Sequence, residues 1–145
     1  MKLLVLILLS LGLWAACSAV PLTSKSNDAK VQDRIEALFA ACQAQDHTTA
    51  AAAIVYRGND EARRWKTVSN YDEADEKQHV DQVCREIRSL LANSDSYDWG
   101  EYLEETESEG TWHVQAVQFV NTLQRQERHF AFLLIGEVFA LGDID

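Results

Sequence analysis

Apolar residues recur at helical spacing in the first half of the chain. Between residues 29 and 45 they lie three or four positions apart on one face, at Val31, Ile35, Leu38, Phe39 and Cys42. The same period, typical of an amphipathic helix, runs through 72–92 at Val80, Val83, Cys84, Ile87, Leu90 and Leu91. An alanine-rich stretch over 48–56 predicts a short helix between them, ended by Gly58.

After residue 96 the pattern changes to aromatic and β-branched runs separated by turn residues. These runs predict four strands, at 97–106, 111–121, 128–135 and 138–142. Gly136-Glu137 is a two-residue hairpin signal between the last two. Helices followed by an antiparallel meander predict an α+β domain over 29–145, with the helices on one face of the sheet.

The first 19 residues differ from the rest and predict a signal peptide. Lys2 supplies a positive start, 3–13 is an apolar run, and 14–19 contains small residues for cleavage. The run is shorter than the roughly 20 residues that span a bilayer. We therefore expect an exported protein of the cell envelope, periplasmic or secreted.

Two cleavage chemistries fit this leader. Residues 13–17 resemble a bacterial lipobox, which would place a lipid anchor on Cys17, although Trp14 departs from the usual aliphatic residue. The alternative is ordinary cleavage after Ala19 and simple secretion. Residues 20–28 are rich in Ser and Thr, contain Pro21 and read as a tether. We expect the anchor, if present, to be the chain's contact with a membrane.

The net charge of the chain limits the classes of partner that we expect it to bind. The formal net charge is −10, and losing Lys2 with the leader makes it one unit more negative. Such acidity excludes nucleic acid as a partner, because phosphate backbones attract basic proteins.

Cys42 and Cys84 form an even pair in an exported domain and lie on apolar helical faces, which predicts a disulfide. Two buried free thiols are the alternative.

The order of elements and the ending HFAFLLIGEVFALGDID, residues 129–145, resemble the nuclear-transport-factor-2-like (cystatin-like) fold. The likeness covers about 29–145, and the ending resembles the last hairpin of small exported bacterial domains of this class, which are mostly lipoproteins of unknown function. It implies N-terminal helices packed in the concave face of a curved four-stranded antiparallel sheet, forming a cone. The fold hosts ketosteroid-isomerase-like enzymes, dehydratases and non-catalytic binding modules, so it does not decide function.

The residues themselves offer no catalytic signature. The four histidines lack metal-ligand spacing, nucleotide-binding and nucleophile motifs are missing, and we expect no metal or cofactor. Aromatic side chains near the helix breaks and first strands predict either a ligand pocket or a packed core: Tyr56, Trp65, Tyr97, Trp99 and Trp112. Strict alternation separates Tyr97 and Trp99 from Tyr102 and Glu104.

We therefore expect a non-catalytic, envelope-located binding or interaction module for an unknown small ligand or envelope protein. The alternative is a ketosteroid-isomerase-like or dehydratase-like enzyme with a buried carboxylate in the cone, for which strand position suggests Glu101 or Asp98.

The strand over 128–135 is apolar on both faces, so its second face should also be covered. The chain itself or a partner could cover it, and we expect a homodimer through the sheet, centred near Leu133.

Overall fold

Three helices precede four strands in residues 24–145, the part of the chain that the computed structural model describes. The helices and strands are α1 (Asn27–Gln43), α2 (His47–Ala51), α3 (Ala74–Ala92), β1 (Ser96–Glu107), β2 (Gly110–Val120), β3 (Arg125–Ile135) and β4 (Val138–Ile144). The leader and Cys17 lie outside the described residues. No helix within 24–145 is long and apolar enough to cross a membrane.

The four strands form one antiparallel sheet in the order β1-β2-β3-β4. The sheet is curved and does not close, and the predicted α+β class is confirmed. The predicted helix over 48–56 was too long, because α2 ends at Ala51. Beyond it the backbone pairs with the edge strand β4, where Val55 N donates to Leu141 O and Leu141 N to Ala53 O, both at 2.8 Å.

The helices cover one face of the sheet, here called the inner face. Their apolar stripes meet phenylalanines from three strands, and the largest fully buried side chains include Phe130, Phe132, Ile35, Leu38 and Ile87. The predicted disulfide is confirmed: Cys42 of α1 is bonded to Cys84 of α3, and both residues are fully buried. The covalent bond thus fixes the two long helices to each other above the sheet.

A smaller cluster covers part of the opposite, outer face. Val55, Leu133 and Ala140 are buried there, and Trp65, Val68, Trp112 and Ile135 pack against them. The segment 55–68, here called the cover loop, leaves the edge of β4 and lies over Leu133, which is only 3% exposed. The chain itself therefore covers this face at Leu133, so the centre expected for a subunit contact is already occupied.

Two β-bulges change which side chains share a face. In β1 the pairing with β2 shifts between Trp99 and Tyr102, and in β4 the pairing with β3 shifts across Gly142. Strict alternation along β1 was therefore a wrong prediction, because the extra residue turns Tyr102 to the same inner core as Tyr97. A Cβ on Gly100 would lie 2.9 Å from that of Ala116, which explains a glycine at the first bulge.

Candidate functional site

The five aromatic pocket candidates do not share one cavity. Tyr97 and Trp99 lie on the inner face, where their rings are 5.5 Å apart and Tyr97 meets Phe39 edge-on at 5.4 Å. Trp65 and Trp112 lie on the outer face, with ring centroids 5.6 Å apart. The inner pair completes the core, and the outer pair attaches the cover loop to the sheet.

Tyr56 belongs to a third environment, at the start of the cover loop. The Arg63 guanidinium lies 4.1 Å from the centre of its ring, and its hydroxyl accepts a hydrogen bond from the backbone N–H of Asp60. Arg63 also donates two hydrogen bonds to Glu76 of α3, at 2.8 and 3.1 Å. The ring of Tyr56 therefore supports an ion pair, and it also lines a separate cavity of about 370 Å³ together with Glu76 and His79.

Glu76 is the buried carboxylate of the described domain, at 6% exposure. Burial raises its pKa, but hydrogen bonds from Arg63 and from the Asn70 N–H, together with the Arg63 charge, outweigh that and lower it. Such a carboxylate stays ionised and paired, unlike a general acid held in an apolar cavity. Asp98 and Glu101, the acids suggested by strand position, are both exposed.

A polar cluster instead lies where the inner face meets the N-terminal end of α1. The Tyr102 hydroxyl donates to Glu104 Oε1 at 2.7 Å and lies 2.7 Å from His113 Nδ1. Asn27 of α1 donates to the same Glu104 oxygen at 3.1 Å. His113 is 5% exposed, and its ring packs edge-on against Phe139 at 4.8 Å. We call Tyr102, Glu104 and His113 the strand triad.

The hydrogen bonds of the strand triad assign its protons. Burial raises the pKa of Tyr102 and its bond to Glu104 raises it further, so the phenol keeps its single proton. Hydrogen bonds from Tyr102 and Asn27 lower the pKa of Glu104, which is therefore a carboxylate. Since the phenol proton points to Glu104, His113 must donate from Nδ1 to the phenol oxygen. A neutral His113 then has Nε2 as a hydrogen-bond acceptor.

The strand triad borders a cavity where β2 and β3 separate. The paired register of these strands ends at Trp112 and Leu133, and the residues beyond diverge. The resulting cavity, here called the fork, has a volume of about 410 Å³. Its lining combines both faces of the sheet: Trp65, Glu104, Glu109, Gly110, Thr111, His113, Leu133, Leu134 and Ile135.

A larger groove of about 660 Å³ lies beside the fork, between α1 and the β3–β4 turn. Lys30 and Arg34 line its helical wall, and Leu134, which is 51% exposed, lines both the groove and the fork. The two cavities therefore lie at one end of the sheet and share a wall.

Gln115 supports this end of the sheet from within. It is fully buried and donates to Gly100 O at 3.0 Å and Ala116 O at 2.9 Å, while Gln32 of α1 donates to its side-chain oxygen at 3.1 Å. It thereby bonds the backbone carbonyl of Gly100, which lies in the β1 bulge. Sequence reasoning missed both Gln115 and the strand triad, and the one available signal was Gly100 inside a strand.

Comparison with known proteins adds no assignment. No protein-family model matches the chain, and no curated protein matches it. Within 24–145, no three His, Cys, Asp or Glu side chains are grouped so as to hold a metal ion. The arrangement can offer hydrogen-bond acceptors, negative charge and apolar surface to a small molecule.

Proposed function

We propose that this domain is a non-catalytic binding module of the cell envelope, built as a nuclear-transport-factor-2-like cone and exported by its leader. The order of elements and the curved sheet over two long helices support the cone. The disulfide supports export, because such bonds persist in oxidising compartments.

The observation that carries the proposal is the filled interior between helices and sheet. Phe39 lies between Tyr97, Phe119 and Phe130, at ring-centroid distances of 5.4 to 6.0 Å. An isomerase- or dehydratase-like reaction needs a cavity there with an acid of raised pKa. Glu76 and Glu104 instead have lowered pKa values, each through hydrogen bonds that favour the charged carboxylate. Binding without turnover fits these side chains better than catalysis.

The end of the sheet that contains the fork and the groove is the ligand site we favour. This end of the sheet offers the buried polar side chain of His113, the charged side chain of Glu104 and the apolar side chain of Leu134. A site that combines polar, charged and apolar groups can fix the orientation of a small molecule.

Amide chemical-shift mapping of the mature domain against small amines, acids and alcohols tests this assignment. We expect the shifts to concentrate at the fork and the groove, and mass spectrometry to recover every ligand unchanged. Leu134→Asp should weaken binding. Leu123→Asp should not, since Leu123 is 93% exposed in the turn before β3, at the opposite end of that strand. Shifts confined to another surface would contradict the site, and a converted ligand would contradict the non-catalytic function.

The lipid anchor is a separate part of the proposal, carried by the sequence of residues 13–17. Cys17→Ser should release the protein from the membrane fraction and abolish acyl labelling. A wild-type protein that is soluble and begins at Val20 would instead indicate simple secretion.

A homodimer through the outer face also stays a proposal, with its centre moved from Leu133. Leu103, which is 42% exposed, pairs with Val114 on that face, beyond the cover loop. Sedimentation of the wild type and of Leu103→Glu tests it. A monomer at high wild-type concentration would rule the homodimer out.

A further inference from the structure

We propose that the cavity between the cover loop and α3, here called the loop cavity, binds a neutral molecule with several hydroxyl groups, of the size of one sugar ring. The loop cavity is the volume of about 370 Å³ that Tyr56, Glu76 and His79 line. It shares no lining residue with the fork or the groove. It is therefore a second site, separate from the one proposed above.

An unpaired histidine at the wall of the loop cavity points to a ligand. The Nε2 atom of His79 is buried without a hydrogen bond from the described residues. His79 lines the loop cavity and also a smaller cavity of about 90 Å³ on the side of β4. Buried polar groups normally have a partner. Since the described residues supply none and open space adjoins the side chain, we expect a bound molecule to supply it.

Two further polar side chains of the lining are more than nine-tenths buried. Ser69 is 6% exposed, and its hydroxyl makes one long hydrogen bond of 3.4 Å to Val55 O. Tyr56 is 8% exposed, and its hydroxyl accepts from the Asp60 N–H at 3.1 Å, which leaves its own proton to donate. A Cβ at position 58 would collide with this hydroxyl, so Gly58 lets the loop pass close beside it. Both hydroxyls can therefore make a further hydrogen bond to a molecule in the cavity.

The charges around the loop cavity favour a neutral molecule. The Arg57 guanidinium is paired with Asp143 at 3.0 Å, and the Glu76 carboxylate is paired with Arg63 at 2.8 Å. The remaining charged group of the lining is Asp75, which is exposed, so solvent screens its attraction for a cation. An ion in the cavity would lose its hydration without gaining a buried counter-charge.

The hydrogen-bonding groups favour hydroxyls over other neutral groups. Burial lowers the pKa of His79 and the Arg57 charge lowers it further, so the ring is neutral at pH 7 and has one donor and one acceptor. Gln82 also offers both roles, whereas Arg57 only donates and Asp75 only accepts. Each hydroxyl of a ligand can donate and accept, which matches this mixed lining. The volume lies near the lower end of small-molecule sites, roughly 300–1,000 Å³, and suits a single ring.

Titration of the mature domain followed by amide chemical shifts tests the proposal. Methyl glucoside, methyl galactoside and inositol are the neutral probes, and cyclohexanol, glucuronate and glucosamine share a six-membered ring but differ in hydroxyl number or charge. We expect the tightest neutral probe to bind at least about fivefold more tightly than each of the other three, since a few neutral hydrogen bonds contribute on that scale. The shifts should concentrate at Tyr56, Gly58, Ser69 and His79, and the ring nitrogen resonances of His79 should move on saturation.

Two variants test the lining residues. His79→Phe should weaken binding of the tightest probe about fivefold, the scale of one lost neutral hydrogen bond. Its melting temperature should not fall, because the change removes an unpaired buried nitrogen. Gln82→Ala should weaken binding about threefold, and the matched control is Gln78→Ala, an equally exposed glutamine of α3 that does not line the cavity. The control should leave the affinity unchanged.

Several results would overturn the second site. Equal binding of cyclohexanol would exclude recognition through hydroxyls, and tighter binding of glucuronate or glucosamine would exclude a preference for neutral molecules. Binding by none of the probes, or unchanged binding by a folded His79→Phe variant, would also contradict it. Shifts confined to the fork and the groove would overturn the loop cavity as a site and leave the proposed binding function intact.

Discussion

The inner face of the sheet is covered by two long helices joined by the Cys42–Cys84 disulfide, whereas the outer face is covered at one end by a single loop. The surface of the two helices that faces the sheet is apolar and contributes Ile35, Leu38 and Ile87, which are fully buried. The outer cover depends on a few specific contacts. The same sheet is therefore held on its two sides by different physical means.

The cover loop adds polar and aromatic contacts to the small apolar cluster around Leu133. Arg57 donates to Gly142 O at 2.9 Å and to Asp143 at 3.0 Å, and lies 5.0 Å from the Trp65 ring. Trp65 has a φ of +64°, a backbone conformation that costs a non-glycine residue about 1 kcal/mol or more. A loop held in this way should open more easily than the helices. This difference predicts that breaking the contacts of the inner side lowers the stability of the whole domain by a large amount. Breaking the contacts of the outer side should have smaller effects, concentrated in the cover loop.

The largest effect should come from removing the disulfide. It closes a separation of 42 residues, and the chain-entropy model assigns such a loop roughly 4 kcal/mol of stability. The double variant Cys42→Ala/Cys84→Ala should therefore lose about that much free energy of unfolding in urea, and reduction of the wild type should have a similar effect. Adding reductant to the double variant is the control and should change nothing. A loss below about 1 kcal/mol would mean that helix packing alone fixes the inner cover.

On the outer face, Trp112→Ala should cost about 3 kcal/mol, at the low end for removal of a large aromatic side chain because Trp112 is only partly buried. The effect should be local as well. Hydrogen exchange should accelerate at the N–H groups of Tyr56 and Trp65, which bond to Thr67 O and Tyr56 O within the loop. Exchange at Val117, fully buried on the inner face, is the control and should follow only global stability. Equal acceleration at both places would show that the two covers open together.

Glu76→Gln should have a smaller effect, about 2 kcal/mol, since it leaves Arg63 without its charged partner. The pKa of Glu76 is lower in the folded protein than its ordinary 4.5, so its contribution is complete above pH 4.5 and is lost as the pH falls through the folded value. In acid the wild type should therefore lose the part of its free energy of unfolding that comes from ionised Glu76. The variant lacks this part at every pH, so its stability should fall less. Urea unfolding at pH 7 and pH 3 measures this, with exposed Glu73→Gln as the control. Parallel pH profiles for the wild type and Glu76→Gln would contradict it.

The inner face was predictable from sequence because its signals are local. Helical stripes and strand alternation located the elements within a few residues, and the positions of Cys42 and Cys84 on those stripes predicted their bond. The outer cover and the strand triad depend on non-local pairing and on bulges. Alternation cannot reveal an extra residue in a strand, although Gly100 and Gly142 are the kind of glycine that marks one. The pairing of Ala53 and Val55 with β4 had no sequence signal at all.

The smallest expected effect concerns His79 of α3, beneath the start of the cover loop. Burial lowers the pKa of His79 below its usual 6.5, Arg57 lowers it further and Asp143 partly opposes this. Its Nε2 atom is buried without a hydrogen bond from the described residues. Because the folded state disfavours the proton, stability should be complete above pH 6.5 and fall as the pH drops toward the folded value.

The loss of stability at low pH should occur on the outer side of the molecule. A charged His79 would repel Arg57, whose hydrogen bond to Gly142 O joins the cover loop to β4. Hydrogen exchange of the Tyr56 and Trp65 N–H groups should therefore accelerate between pH 7.5 and 5.5, after correction for the intrinsic pH dependence, while Val117 stays protected. His79→Gln should reduce this change. His129→Gln, on an exposed residue of β3 near Glu127, should not. If the His129 variant alone removed the pH dependence, the charge of His79 near Arg57 would not be its origin.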